Sequence, residues 1–407
     1  MIMFVGLTSW ADDWPQWRGA NRDGKSTETN LLKNWPEGGP RMIWSIETLG
    51  KGYSSPAIEN GVIYINGMLE KQGILFALDL EGKEIWKTPY GREWTRSFPG
   101  TRSMPTIDGN RIYLLSGQGV LVCFDKQTGK INWSVDAHEK FNGKMLTWGM
   151  GEAVLIVDDK VICTPGGPDA TLVALDKTNG QTIWTTKGLS DKSGYCSPLL
   201  IERGGRKIII TQTFLAAVGI DAADGKLLWR DTFTDYQTDI EPENPNTPLY
   251  LNGEFYITSG YGDGGTMFRI WPDGTQIERK WADTTQDCHH GHVVMVDGYI
   301  YGSSWDTNKD GNWVCLQWET GKVMYDTKWH GKGCILYADG MLYCYEETQG
   351  NFALVEATPQ GFKVVSSFKV PLGKGENWAH PVISDGILYI RHGPAFMAYD
   401  IKAQQSN

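Results

Sequence analysis

No stretch of this chain approaches the roughly 18 consecutive apolar residues that a membrane-crossing helix needs. Long runs of one charge are also missing: the net charge of −10 is spread along the sequence without blocks. That distribution argues against nucleic acid or an anionic membrane surface as partner. The seven cysteines form no CxxC, no CxxCH and no adjacent pair, so neither a disulfide framework nor a c-type haem is supported. Cys123, Cys163, Cys315 and Cys344 fall inside apolar strand patterns, where a thiol acts as a small hydrophobe. Cys196, Cys288 and Cys334 stand at strand starts and are less settled. There is no nucleotide-binding loop, no zincin helix and no G-x-S-x-G elbow. The Gly-rich stretch SGYGDGG (259–265) follows a strand but opens no helix, so it fails as a dinucleotide fingerprint. Finally, no linker or low-complexity segment divides the 407 residues.

What the chain has is a sentence repeated eight times. Residues 55–87 read as four short strands: SPAI, a turn at Asn60-Gly61, VIYI, then ILFALD, a turn at Glu81-Gly82-Lys83, and EIWK. Asn-Gly between apolar runs is a strong hairpin signal, because both turn residues must tolerate positive φ. The aromatics closing successive copies are Trp44, Trp86, Trp133, Trp184, Trp229, Trp281, Tyr325 and Phe368, spaced 42–52 residues apart. Four strands at a period of about 40–50 residues is the signature of propeller blades. The eighth copy, from His380, stops after three strands, while Arg41–Ser45 is an orphan fourth strand ahead of the first full copy. The prediction is an all-β, eight-bladed propeller over residues 12–403, its ring closed by the N-terminal strand. Met1–Ala11 resembles the back half of a secretory signal ending in a Ser-Trp-Ala cleavage site, without a basic leader. The expected location is therefore the periplasm or outside the cell.

Strand polarity sorts the loops. The Asn-Gly and Thr-Gly-Lys turns share one face and are short. The connections 88–103, 137–150, 233–246, 283–291, 302–312 and 369–379 share the other and are irregular. Long loops on a rigid scaffold are where sites are built. That face is expected to gather Arg96, Arg102, Trp148, Glu152, Tyr195, Tyr261, Asp263, Lys332, Trp378 and Arg391 around the channel mouth as ligand-binding residues. Glycines around Tyr261 and Asp263 would let the backbone approach a ligand closely. His289, His290, His292 and His380 are candidates for acid/base work, for a metal, or for structural hydrogen bonds. Trp148 and Trp378 suit packing between blades as well as stacking, and Arg96 and Arg102 suit surface ion pairs. Aromatics beside Arg, His and carboxylates fit a polar ring ligand such as a carbohydrate. Asp306, Asn308 and Asp310 follow the D-x-[DN]-x-[DN]-G pattern of a calcium loop, but position twelve is Gln317, so a solvated turn is the competing reading.

The repeat TLVALDKTNGQTIW (171–184) resembles the pyrroloquinoline-quinone-type propeller repeat. WPQWRGANRDGKS (14–26), HHGHVVMVDGYIYG (289–302) and HPVISDGILYIRHG (380–393) resemble a secreted bacterial subgroup of these proteins. The wider family includes quinoprotein alcohol dehydrogenases and an outer-membrane assembly factor, both eight-bladed. The resemblance implies the fold, but fold does not fix chemistry. Dehydrogenases of this type hold their quinone against a vicinal Cys-Cys disulfide, which this chain lacks, and bind calcium through an early acidic residue that only Asp169 loosely matches. The quinone is therefore not expected. A quinone- and calcium-dependent dehydrogenase and a protein-interaction scaffold stay as alternatives to ligand binding.

Overall fold

A computed structural model describes residues 13–232 and 243–403; the signal-like stretch Met1–Ala11 lies outside the described residues. Eight four-stranded antiparallel sheets follow one another in chain order, seven of them built from four consecutive strands. In the first blade these are Ala57–Glu59, Val62–Leu69, Gln72–Leu78 and Glu84–Arg92. The last blade takes Val382–Ser384, Ile387–His392 and Ala395–Asp400 from the C-terminus and Arg41–Ile46 from the N-terminus, with Arg41 opposite Asp400 and Ile46 opposite Phe396. The fold is an eight-bladed β-propeller, closed as the split repeat predicts.

The period exists because each closing tryptophan docks on the next blade. Trp44, Trp133, Trp184 and Trp281 donate their indole N–H to carbonyls of Leu80, Lys177, Ala222 and Trp318 at 2.7–3.3 Å. Beneath each indole lies the turn glycine of that next blade: Gly82, Gly180, Gly225 or Gly321, all at positive φ. A Cβ at any of the four would sit 2.5–2.8 Å from the ring, so only glycine fits. In blade eight the third and fourth strands come from opposite chain ends, and there is no turn between them. Gly39, just before the N-terminal strand, stands in, with Phe368 of blade seven against its Cα.

One feature has no counterpart in the repeat. The segment 13–30 enters at the short-turn face, where Asp13 accepts from the Asn60 amide at 2.9 Å. It then reaches the innermost strands or strand starts of all eight blades. Trp14 pairs with Ile58, the carbonyl of Pro15 accepts from Ile107, and Gly24 and Ser26 bond Tyr337. Arg22 donates to the carbonyls of Ala153, Val154 and Pro198. Arg18 donates to Val293 at 2.5 Å, and Trp17 to Thr247 Oγ1 at 3.0 Å. Trp17 also meets His380 edge-on, with centroids 4.8 Å apart. The guanidiniums of Arg18 and Arg22 are fully buried among backbone carbonyls, and burial lowers both to about 10. The central channel is thus a blind cup, floored by Trp17 and open at the irregular-loop face.

Candidate functional site

The floor is made by His292 and His380 on Trp17. Both histidines direct a ring nitrogen at the carbonyl of His290, at 3.0 and 3.1 Å, and their rings meet edge to face at 4.9 Å. Each is pushed below the ordinary imidazole range by burial and by the Arg18 charge, His380 to about 3. They are neutral and engaged in holding the backbone of the 289–292 turn.

Above them, His289 and His290 lie side by side with centroids 4.4 Å apart, and each faces a carboxylate. His289 Nε2 is 3.6 Å from Glu243 Oε2, and His290 Nε2 is 3.3 Å from Glu347 Oε2, off the line of a directed hydrogen bond. The two imidazoles keep 13% and 22% of their side-chain surface exposed, which makes them the reachable histidines of the four. Burial pushes both down, and Lys332 adds to that. Glu347 is buried in an ion pair with Lys332, whose ammonium also donates to the carbonyl of Asn308 at 3.1 Å. Burial raises Glu347 to about 7 against the pull of that ammonium.

Aromatic rings form the wall. Trp378 stands over His290 at 5.1 Å, Tyr261 over His289 at 4.8 Å, and Trp148 donates its indole N–H to Glu243. Phe98 reaches across from the loop after blade one to touch both Trp378 (4.7 Å) and Trp148 (5.8 Å). Arg102 fastens that loop by donating to the carbonyls of Phe98 and Gly100, at 2.8 and 2.7 Å, and it lies over the rings of Trp94 and Tyr53. Arg96 lies over Trp94 from the outside. Among the described residues, His289 Nδ1, His290 Nε2 and Trp378 Nε1 have no hydrogen-bond partner although they are buried.

The structure thus gathers His289, His290, Trp148, Tyr261, Lys332 and Trp378 at one mouth, but disperses others. Arg391 is buried in the seam between blades eight and one, donating to Ser54 Oγ at 2.6 Å and to the carbonyls of Asn66 and Gly393. Glu152 is fully buried, accepts from the Thr164 amide, lies near Arg22 and is pushed up to about 8 by burial. Tyr195 accepts from the backbone N–H of Trp148 at 3.2 Å. The glycine loop around Tyr261 and Asp263 approaches the protein's own carboxylate: the amides of Gly262 and Gly264 both donate to Asp287 at 2.8 Å. Of the calcium-loop residues, Asp310 pairs with Lys328, Asn308 accepts from the Trp305 indole at 3.2 Å, and the Asp306 amide donates to the Asp310 carbonyl. Among the described residues no group of three or more His, Cys, Asp or Glu side chains is arranged to hold a metal.

Glu243, Glu347, Phe98 and Trp17 are absent from the sequence expectations. Glu347 had a readable signal, since a double Glu ends the otherwise apolar strand MLYCY. Phe98, the one large apolar side chain in the polar stretch 95–100, had another.

The sequence model of the outer membrane protein assembly factor BamB family matches residues 70–327, more than half of the chain. The chain belongs to that family. The assembly factor BamB of Burkholderia pseudomallei is 24% identical over 304 residues, covering 70% of this chain and 72% of that protein. The quinoprotein alcohol dehydrogenase PedH of Pseudomonas putida is 27% identical over 125 residues, and the match spans 30% of this chain but only 20% of that protein. Among solved structures, BamB from Moraxella catarrhalis superposes with a TM-score of 0.66 at 16% identity, covering 89% of this chain and all of that one. The quinohemoprotein alcohol dehydrogenase of Comamonas testosteroni gives 0.69 at 12% identity, covering 97% and 81%. These likenesses establish the propeller fold. They reach both the assembly factors and the quinone enzymes, and relatedness alone does not choose between them.

The residues present do not fit pyrroloquinoline quinone. All seven cysteines are single, free and buried, so there is no vicinal disulfide to stack a planar cofactor.

Proposed function

We propose that the cup binds a neutral, hydroxylated small ring, of the carbohydrate class, and that the protein works in the periplasm or outside the cell. The observation that carries this reading is the grouping of half-buried aromatic rings with partly exposed polar side chains. Trp148, Trp378 and Tyr261 stand beside His289 and His290, whose side chains keep 13% and 22% of their surface exposed. Charge favours a neutral ligand: Lys332 is matched by Glu347, and Glu243 adds a carboxylate at the same mouth. The test is saturation-transfer NMR against neutral hexoses, N-acetylhexosamines and uronates. Signals from neutral sugars that vanish in Trp378→Ala support the reading, and no signal from any of them at 10 mM (about the weakest useful affinity) refutes it.

The second reading rests on the family itself. A relative named as an assembly factor covers most of the chain, and the rim residue Phe98 is 39% exposed. On this reading the rim docks a segment of another protein. It predicts that Phe98→Asp abolishes a partner cross-link.

A further inference from the structure

We propose that the raised edge of blade one is a docking site for an acidic, extended segment of another protein, one that alternates carboxylates with apolar side chains. This rests on the docking reading above and deepens it by naming the partner's chemistry.

Blade one stands higher than its neighbours on the irregular-loop face. Its strands Val62–Leu69 and Glu84–Arg92, of 8 and 9 residues, are the longest among the described residues. The turn joining its second and third strands is Glu70-Lys71, both at positive φ, which fixes a tight two-residue tip. Lys51 bridges to Met68, Met68 lies opposite Gly73, and Gly73 lies opposite Gly91. Lys51, the Lys71 tip and Arg92 therefore follow one row across four adjacent backbones, about 14 Å wide at the usual spacing of about 4.8 Å. The loop 93–101 is fastened to this row at both ends: the Glu93 amide donates to the Lys71 carbonyl at 3.1 Å, and the Thr101 amide to the Lys51 carbonyl at 3.4 Å. Arg102 donates to the carbonyls of Ser97, Phe98 and Gly100 at 2.7–3.2 Å, and the Trp94 indole donates to Ser97 at 2.9 Å. These bonds hold Phe98 at a φ of 51° with 39% of its surface exposed. A bulky residue in the left-handed region is strained and persists only where its surroundings over-determine it. Here the strain presents an aromatic ring at the rim, on the same edge as Leu69, which is 38% exposed.

Charge decides the occupant. Lys51, Lys71, Arg92 and Arg96 are all exposed, and none has an ion pair or a side-chain hydrogen bond among the described residues; Arg96 lies over the Trp94 ring. Exposed lysines elsewhere do find carboxylates, as Lys87 does in Glu84, Lys207 in Asp158 and Lys402 in Asp385. Glu70 at the tip and Glu376, which acts on Tyr53, oppose the four cations in part. Glu93 is buried, its oxygens taken by the Tyr90 hydroxyl and the amides of Trp94 and Gly117. The chain as a whole carries −10, so this row reverses the sign of its surroundings. An acidic segment is steered to such a patch and away from the rest of the surface, and Phe98 and Leu69 give its apolar side chains a contact. An anionic membrane suits the row less well. It is extended, and docking on a row about 14 Å wide would bring it within the Debye length of about 8–10 Å of the acidic surface around it.

The experiment titrates three labelled synthetic peptides of about twelve residues onto the full chain, read by fluorescence anisotropy. All have leucine at alternate positions; the residues between are Asp/Glu in one, Lys in the second and Ser/Thr in the third. Each is measured at about 20 and 300 mM NaCl, Debye lengths of roughly 20 and 6 Å. The Asp/Glu peptide should bind at least ten-fold tighter than the Lys peptide at low salt, and weaken several-fold at high salt. Lys51→Glu, Lys71→Glu and Arg92→Glu should each weaken it about three-fold, as exposed charges do, and the triple variant ten-fold or more, with the melting temperature kept. Lys130→Glu, exposed on the short-turn face, should leave binding unchanged. Phe98→Ser should weaken it by the same factor at both salts. Equal binding of the Asp/Glu peptide by wild type and triple variant overturns the site. If the Lys or Ser/Thr peptide binds best and Phe98→Ser weakens it, the acidic assignment is overturned and the docking reading stands. No binding of any peptide at about 1 mM overturns the proposal, and the Phe98→Asp cross-link then decides the docking reading separately. Phosphatidylglycerol vesicles that sediment wild type but not the triple variant, without peptide binding, overturn the peptide in favour of a membrane surface.

Discussion

The claim that residues 14–26 form the axis of the molecule is tested by Arg22→Met. Arg22 is 2% exposed and donates to Pro198 O at 2.8 Å, Ala153 O at 3.3 Å, Val154 O and Gln16 Oε1. Methionine refills most of the volume, so the cavity contribution is small. What is lost is a charge bonded to three otherwise buried carbonyls and the cation near Glu152. Hydrogen bonds from a charged donor contribute about 1.5–3 kcal/mol each, and breaking a buried charged contact from one side costs about 3–5 kcal/mol. Because Glu152 is already pushed toward its neutral form by burial, the lower half of that range applies, about 3–4 kcal/mol. A chain of this length unfolds with an entropy of roughly 0.8 kcal/mol per degree, so the midpoint should fall by about 4–5 °C in calorimetry. Adding Glu152→Gln to Arg22→Met should recover part of the loss, a coupling of about 1 kcal/mol. Arg96→Met, on the exposed rim, is the control and should not move the midpoint. A fall below about 1 °C for Arg22→Met would mean that this segment does not occupy the channel.

Gly39→Ala should destabilise by about 2–3 kcal/mol through positive φ and collision with Phe368, whereas Gly38→Ala, also at positive φ but with nothing within 4 Å, should cost about 1 kcal/mol; equal melting temperatures would show that Gly39 is not the closing wedge. Glu152 is raised from 4.5 to about 8, so the folded chain holds a proton that the unfolded chain has released. The stability this contributes is complete below pH 4.5 and is lost as pH rises toward 8. Melting temperatures between pH 5 and 8 should therefore decline less steeply in Glu152→Gln than in the wild type, and parallel curves would refute the burial argument. At the 306–310 loop, Lys328 already neutralises Asp310, so removing calcium with a chelator should leave the melting temperature unchanged; a fall of several degrees would reinstate the loop as a metal site.

The repeat was legible because each of its parts answers a local physical demand. A two-residue turn needs positive φ at Asn60-Gly61, a docking indole needs a glycine beneath it, and a half-buried strand needs period-two apolar residues. These demands recur eight times, so accidental matches average out. The site was only half legible. Strand polarity put His289, His290, Trp148, Tyr261, Lys332 and Trp378 at one mouth, because the end of a strand fixes the face. It could not say which side chains turn outward. Arg391 is one position from the end of its strand on the same face, yet it folds back into the seam to satisfy the carbonyls of Asn66 and Gly393. The glycines of SGYGDGG likewise serve an anion, but the anion is Asp287, supplied by the next blade connection. Partners that lie 57 and 95 residues away in sequence, as Glu347 does from His290 and Glu243 from Trp148, leave no local pattern to read.

The N-terminal segment carries the argument furthest, because it changes what kind of cavity the propeller has. A ring of eight identical sheets leaves a channel through its axis, and a through-channel exposes its lining to water from both ends. Here Trp14–Ser26 fills the axis, and its two arginines satisfy backbone carbonyls on the strand starts of blades three, four and six. His292 and His380 pack on this segment through Trp17, and burial lowers both below the ordinary imidazole range. Burial at the mouth likewise lifts Glu347 toward neutral pH and lowers His289 and His290, since desolvation disfavours every charged form. Removing the Arg18 charge should raise His292 and His380 toward the ordinary imidazole range, since that charge lowers both.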